Sequence, residues 1–188
     1  MGTLFVVATP IGNLKDITLR AIEVLETTAY IACEDTRRTG LLLRHLRQEK
    51  YLSEEHKPVL ISFYEQNEFY RTPNILNLLI NGQDVALVSD GGTPAISDPG
   101  FKLIRSCTEQ GIPVVSVPGP SAVISALISS GLPTDKFFFL GFLPKKPGNR
   151  KTALEQIQKT SEIVKTTYIL FESPHRLIKT LEEMQQVL

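Results

Sequence analysis

The residues with the clearest chemical potential in this 188-residue chain are the twelve at positions 89–100, Ser-Asp-Gly-Gly-Thr-Pro-Ala-Ile-Ser-Asp-Pro-Gly. They lie between an apolar run, Val85-Ala86-Leu87-Val88, and a segment with apolar residues at Phe101, Leu103, Ile104 and Cys107. Glycine lets the backbone turn sharply and approach a ligand, while proline restricts the shapes a loop can take. A loop that is both bent and stiff costs little entropy to order around a bound molecule. Asp98-Pro99 has the form of a helix N-cap followed by the first helical residue, so Asp98 reads as a cap. Asp90 follows a strand and has no helix to cap. Its carboxylate suits hydroxyl groups or a cationic ligand.

The elements that would position this loop alternate between strand and helix. Residues 4–8 form a continuous apolar run, as expected of a strand buried on both faces. Leu19, Ile22 and Leu25 repeat at helical spacing, 29–33 is a second strand, and 38–48 a helix. Residues 59–63 form a third strand. Thr72-Pro73 reads as cap and first residue of a helix that stops at Gly82. Residues 85–88, a helix over 99–110, and 114–117 complete a βα series, which implies a mostly parallel sheet flanked by helices. Pro118-Gly119-Pro120 marks a domain junction, giving a first α/β domain over 1–117 and the start of a second over 118–188. The second holds a helix (122–130), an aromatic strand (137–142), a basic loop, a helix near 152–160, a strand (167–171) and a last helix begun by Ser173-Pro174.

In open α/β sheets ligands bind outside the carboxyl ends of the strands. The unusual residues fall there six times over: 9–13, 34–37, 64–67, 89–98, 119–122 and 172–176. Such recurrence outlines a cleft. Neither G-x-G-x-x-G nor G-x-x-x-x-G-K-[ST] is present, so the first loop is not a phosphate cradle. Pro10 and Gly12 instead shape the cleft floor. Acidic and basic residues balance at 20 each, which excludes a bulk polycation but leaves room for clustered basic surface. Cys33 and Cys107 lie in apolar surroundings without metal-ligand spacing and read as reduced core residues of a cytosolic protein. No run approaches the roughly 18 apolar residues of a membrane span, no cluster suggests a metal, and the N-terminus reads as a first strand without a leader.

Five blocks in order, Ala8-Thr9-Pro10-Ile11-Gly12-Asn13-Leu14, Cys33-Glu34-Asp35-Thr36-Arg37, residues 89–100, Val117-Pro118-Gly119-Pro120-Ser121-Ala122 and Phe171-Glu172-Ser173-Pro174-His175-Arg176, resemble the ribosomal RNA small subunit methyltransferase I family, within the tetrapyrrole-methylase-like (class III) S-adenosylmethionine-dependent methyltransferases. The resemblance implies two α/β domains, with a second domain longer than the one present, so that the chain is expected to stop inside it. It also implies S-adenosylmethionine folded between the domains, with Pro10, Asp90, Gly91, Gly92, Thr93 and Ile96 lining one side. Ser121 and Ala122 would lie at the hinge, and Phe142, Leu143 and Phe171 on the second domain. The alternative for Phe142 and Phe171 is core packing, and for Ser121 a helix start. Family membership further implies a homodimer and 2′-O-methylation of a cytidine ribose in small-subunit ribosomal RNA, free or in the subunit.

A ribose hydroxyl is a poor nucleophile, so a general base is needed. Asp35, beside Arg37, is the first candidate, with a helix N-cap as its alternative role; Glu172 and His175 follow. Arg37, Arg44 and Arg47 fall on one side of a helical wheel opposite Leu42, Leu43 and Leu46. With Arg38, and with Lys145, Lys146, Arg150 and Lys151, they form two basic clusters available to RNA phosphates. Two rival readings stand beside this one. The first is a methyltransferase acting on a tetrapyrrole or a protein side chain, and the second a non-catalytic RNA- or nucleotide-binding module on the same sheet.

Overall fold

Strands of four residues suffice here because helices on both sides bury the faces of the sheet's central strands, while the two edge strands stay partly exposed. In the computed structural model, which describes residues 1–188, the first unit, Met1–Ala122, contains β1 (Leu4–Val7), β2 (Tyr30–Cys33), β3 (Val59–Ser62), β4 (Val85–Val88) and β5 (Val114–Val117). All pair in parallel, in the order β3-β2-β4-β1-β5. The sheet is thus parallel with helices on both sides, as its βα pattern implies. β4, in the middle, is buried along its whole length.

Period-two alternation divides the core into two layers. Val7, Ile31, Cys33, Ala86 and Val88 pack with α1 (Leu19–Thr27) and α2 (Thr36–Gln48). Leu4, Ala32, Val85 and Leu87 pack with α3 (Glu68–Ile80) and α4 (Phe101–Glu109). Both cysteines are free and buried in these layers, and burial pushes the Cys107 thiol up to about 11.

Several helix boundaries differ from those expected of the sequence. α3 begins at Glu68 and Pro73 lies inside it. Pro73 is exposed, so its missing N–H is lost on the solvent side, and the Thr72 hydroxyl donates back to the Glu68 carbonyl at 2.8 Å. α4 is capped by Gly100 and not by Asp98. Leu19 is 80 % exposed; Ala21, Ile22, Val24 and Leu25 form the buried stripe of α1 instead.

The second unit, Val123–Leu188, comprises α5 (Ala122–Ser129, its first residue still in the first unit), β6 (Phe137–Phe142), α6 (Pro147–Ile163), β7 (Thr167–Phe171) and α7 (Leu177–Val187). β6 and β7 pair in parallel, with a register shift between Phe139 and Phe142. Val123, Leu127 and Ile169 fill one side of the pair, and Leu143, Leu154 and Ile157 the other. The expected basic loop is largely helix, because Pro147 fits the first helical position and α6 extends from there. The last helix starts later than Ser173-Pro174 suggests, at Leu177 after a turn. No helix is long and apolar enough to cross a membrane.

Candidate active site

At the carboxyl ends of β1, β2 and β4 three loops are tied into one joint. Thr9 and Gly92 exchange both backbone hydrogen bonds, each at 2.9 Å, as an isolated antiparallel bridge. The buried Thr9 hydroxyl donates to the Ser89 carbonyl at 3.1 Å, and the Ser89 hydroxyl to the Gly92 carbonyl at 3.3 Å. Asp90 links this pair to the third loop. Its Oδ1 accepts the Asp35 backbone N–H at 3.1 Å, and its Oδ2 lies 3.4 Å from Arg38 Nε. Thr93 extends the joint to the loop that follows β5 by donating to the Pro120 carbonyl at 3.3 Å.

Glycine is required here for two separate reasons. Gly92 has φ +93°, which side chains rarely adopt. At Gly91 an added Cβ would come within 3.1 Å of the Pro10 carbonyl, so the two loops meet backbone to backbone. Beside them opens a cleft of about 250 Å³ lined by Thr9, Pro10, Leu14, Arg38, Leu41, Leu42 and Asp90 among others. Its apolar wall and single carboxylate fit a flat group bearing hydroxyls, such as the adenosyl moiety of S-adenosylmethionine. The volume is at the small end for a whole drug-sized ligand. Ile96 is exposed in this loop, and Ser121 and Ala122 follow β5 at the sheet's edge.

Asp35 adopts the alternative role raised for it. Its Oδ1 caps α2 by accepting the Arg37 N–H at 2.8 Å, and the Arg37 guanidinium grips both oxygens at 3.0 and 2.7 Å. That guanidinium, with the backbone bond, draws the carboxyl down to about 2, which is poor for a base. Because the folded value lies below the ordinary 3.8, the cap's contribution is full above 3.8 and lost as the pH falls through about 2. An NMR titration of the Arg37 amide should therefore report loss of this cap only in that acid window.

Glu172 is likewise committed. Oε1 accepts from the Ser173 N–H and from Arg176, each at 2.6 Å, and Oε2 from the Thr180 hydroxyl at 2.7 Å. Burial alone would raise its pKa, but these donors outweigh burial and hold it below the ordinary value. Glu172 clasps the turn between β7 and α7, with both carboxylate oxygens taken by these donors. His175 is exposed in that turn, ahead of α7 and outside its first helical turn.

The remaining second-unit residues divide in the same way. Leu143 is 5 % exposed and packs with Leu154 and Ile157 in the core of the second unit. Phe171 is half-buried and meets Phe139 and Phe142 edge-on at 4.8 and 5.6 Å, while Phe142 remains exposed.

Of the basic residues, Arg37, Arg38 and Arg44 are exposed on α2, and Lys145, Lys146 and Lys151 around the start of α6. Two expected RNA contacts are corrected. Arg150 is 2 % exposed; Glu183 takes Nε and Nη2 at 2.5 and 2.6 Å, and the Pro144 and Lys145 carbonyls take Nη1. Arg47 donates to the His56 carbonyl at 2.7 Å and so pins the segment after α2. Accordingly, Arg150→Ala should lower the melting temperature. Lys145→Ala with Lys146→Ala should leave melting unchanged and, if this surface meets RNA, flatten the salt dependence of retention on RNA by roughly one unit per lost phosphate contact.

Sequence reasoning missed Glu68. This residue is 5 % exposed at the start of α3; its Oε1 accepts the Gly100 N–H at 3.0 Å, and Oε2 lies 3.4 Å from Lys102 Nζ. It therefore holds the far end of the 89–100 loop from outside. No local signal announces it, since its partner is 32 residues away.

The profile of the tetrapyrrole (corrin/porphyrin) methylases matches residues 3–188. Among curated proteins, the Ribosomal RNA small subunit methyltransferase I of Hydrogenobaculum sp. (strain Y04AAS1) is 47 % identical over 184 residues, covering 98 % of this chain and 75 % of the relative. This chain belongs to that methyltransferase family, among the tetrapyrrole methylases. The family member of Escherichia coli O157:H7 is 48 % identical over 187 residues, covering the whole chain and 61 % of the relative. The chain spans about three fifths of the length of several such relatives. Solved structures of other tetrapyrrole methylases share the fold. The methyltransferase CobJ gives a TM-score of 0.67 at 17 % identity (100 % of this chain, 77 % of that one), and the cobalt precorrin-4 methyltransferase CbiF 0.65 at 16 % (98 % and 74 %).

Proposed function

We propose that this protein transfers a methyl group from S-adenosylmethionine to the ribose 2′-hydroxyl of a cytidine in small-subunit (16S) ribosomal RNA, acting in the cytoplasm. The observation that carries this reading is the near-50 % identity to ribosomal RNA small subunit methyltransferase I proteins across the whole chain. The Asp90-centred joint supplies the physical counterpart. A uroporphyrin-III C-methyltransferase of the same fold has been solved with S-adenosyl homocysteine, the demethylated donor. When bound, the donor supplies an electrophilic methyl on a sulfonium.

In this reading Asp90 binds ribose hydroxyls of the donor, and Pro10, Gly91 and Gly92 let backbone approach it. Thr93 keeps the loop in place. Leu41 and Leu42 exclude water, and a dry wall favours a step that disperses positive charge. Arg38 and Arg44 on α2, with Lys145, Lys146 and Lys151, meet RNA phosphates. Discrimination against DNA follows from the acceptor itself, since only RNA offers the 2′-hydroxyl. Two copies of the chain act together in the family-based reading.

Incubating the protein with small ribosomal subunits and radioactive methyl donor tests this. The expected product is an alkali-resistant dinucleotide containing 2′-O-methylcytidine. Label that appears only on an offered uroporphyrinogen, or no label on either, would overturn the reading.

A further inference from the structure

Apolar surface left in the open is not spread evenly over the first unit. Leu14, Leu19 and Tyr51 are all exposed, and all three line one cleft of about 650 Å³. That volume lies within the range of ligand sites and exceeds that of the cleft beside Asp90. The two clefts share a wall. Arg38, Leu41 and Leu42 line the smaller one, and His45, Leu46 and Glu49 the larger. These residues recur at intervals of three and four and so form one stripe along α2, roughly 16 Å from end to end. Leu14, in the short helical turn Leu14–Asp16, lines both clefts. The cleft beside Asp90 therefore continues as a groove that follows α2 to its carboxyl end.

The end of α2 holds an aromatic ring at this groove. Lys50 takes φ +62°; its N–H donates to the Arg47 carbonyl at 2.8 Å, and the Tyr51 N–H to the Leu46 carbonyl at 2.9 Å. This pair of bonds is the Schellman ending, which turns the chain back on the helix. Leu52 is buried just beyond it, so Tyr51 is anchored on both sides while its side chain stays open to the cleft. Near it stand groups that the fold itself does not use. The Lys15 ammonium, the His45 imidazole, the Glu49 carboxylate and the Tyr51 hydroxyl make no hydrogen bond or ion pair within the chain. Lys15 and Glu49 are the charged residues that line the cleft. Arg44 and Lys50, next to His45 and Tyr51 in sequence, are exposed and add positive charge nearby.

We propose that this second cleft seats the base of a nucleotide beside the methylated cytidine in the RNA strand, an inference that rests on the function proposed above. A nucleotide presents two apolar ring faces, a hydrogen-bonding edge and a phosphate, and the cleft answers each. The base stacks on Tyr51 against the apolar floor. Glu49 accepts from the amino group of the base, and Lys15 meets a phosphate oxygen. A purely apolar occupant would leave Lys15 and Glu49 without partners. The continuity of the groove with the cleft beside Asp90 puts this nucleotide near the reacting one. Cytosine, adenine and guanine carry an amino group and uracil does not, so Glu49 selects against uridine.

Filter binding of small ribosomal subunits, which needs no methyl transfer, tests the assignment with wild type, Tyr51→Ala, Tyr51→Phe and Glu49→Gln. Tyr51→Ala should weaken binding about five- to a hundredfold, as for the loss of one base stack, and Tyr51→Phe should keep wild-type affinity. Both should melt as the wild type does and bind S-adenosylmethionine equally well, because Tyr51 is exposed and lies outside the cleft beside Asp90. Subunits carrying each of the four bases at each position flanking the acceptor then locate the site. At one position uridine should bind wild type about tenfold more weakly than the amino-bearing bases, and Glu49→Gln should lose this preference. Wild-type affinity in Tyr51→Ala overturns the site. So does a Tyr51→Ala loss without any position at which Glu49→Gln blunts the cost of uridine, since the cleft then meets a ribosomal protein. A wild type that leaves subunits unlabelled by the methyl donor overturns both readings, and the two failures are distinguishable because affinity is read without transfer.

Discussion

Asp90→Ala should weaken S-adenosylmethionine binding by about ten- to a hundredfold, since hydrogen bonds to a charged group contribute roughly 1.5–3 kcal/mol. The loss has two sources. A carboxylate that meets donor hydroxyls disappears, and so does the acceptor that ties the Asp35 N–H at 3.1 Å and faces Arg38 at 3.4 Å. Asp90→Asn separates them, because its amide oxygen can still accept the backbone N–H while the charge is gone. The asparagine variant should therefore lose less affinity than alanine and keep the wild-type melting temperature. Calorimetric titration with the donor, alongside thermal melts, checks both, and wild-type affinity in Asp90→Ala would remove Asp90 from the binding site.

Gly100→Ala should lower stability by about 3 kcal/mol, combining roughly 1–3 kcal/mol for a residue forced to a disallowed φ with about 1–3 kcal/mol of overpacking. Gly100 sits at φ +134°, and an added Cβ would lie 2.9 Å from Leu87 Cδ2 in the fully buried β4 row. Neither side can relax easily, because the Gly100 N–H is held by Glu68 at 3.0 Å. In a domain of this size the change corresponds to about 6–12 °C in melting temperature. Donor binding should fall as well, since the altered residue closes the loop that begins at Ser89. Glu68→Ala should disturb the same loop without clashing with Leu87, and so should cost affinity with a smaller loss of stability.

The joint of the loops after β1, β2 and β4 is legible because glycine, proline and aspartate recur where these strands end, and that density is a local property. The parallel sheet was legible for the same reason, from short apolar runs separated by helical spacing. What escaped was fixed by distant partners. Arg150 looks like one more charge in a basic run, yet Glu183, 33 residues on, turns it inward. Thr72-Pro73 has the form of a helix start, but the chain turns earlier, at Tyr64 and Asn67, whose bonds begin α3 at Glu68. Asp98-Pro99 has the same form, and Gly100 takes the cap because its backbone N–H finds Glu68. Asp35 draws attention as a base because of its adjacent arginine, yet that arginine is what already occupies it.

The order β3-β2-β4-β1-β5 has a consequence for the chain's birth. β1 is the first strand to leave the ribosome, yet its neighbours are β4 and β5, the last two of the sheet to be made. Until Val85 emerges, Leu4–Val7 has no strand to pair with, while β2 and β3 already have each other. β4 must then slide between two strands that have waited different lengths of time, and such non-local closure is slow. Thr9 can reach Gly92, and Asp35 can reach Asp90, only after that insertion. The ligand joint is therefore assembled at the end of translation of the first unit, and a nascent chain halted before β4 would carry an apolar strand open to the wrong partner.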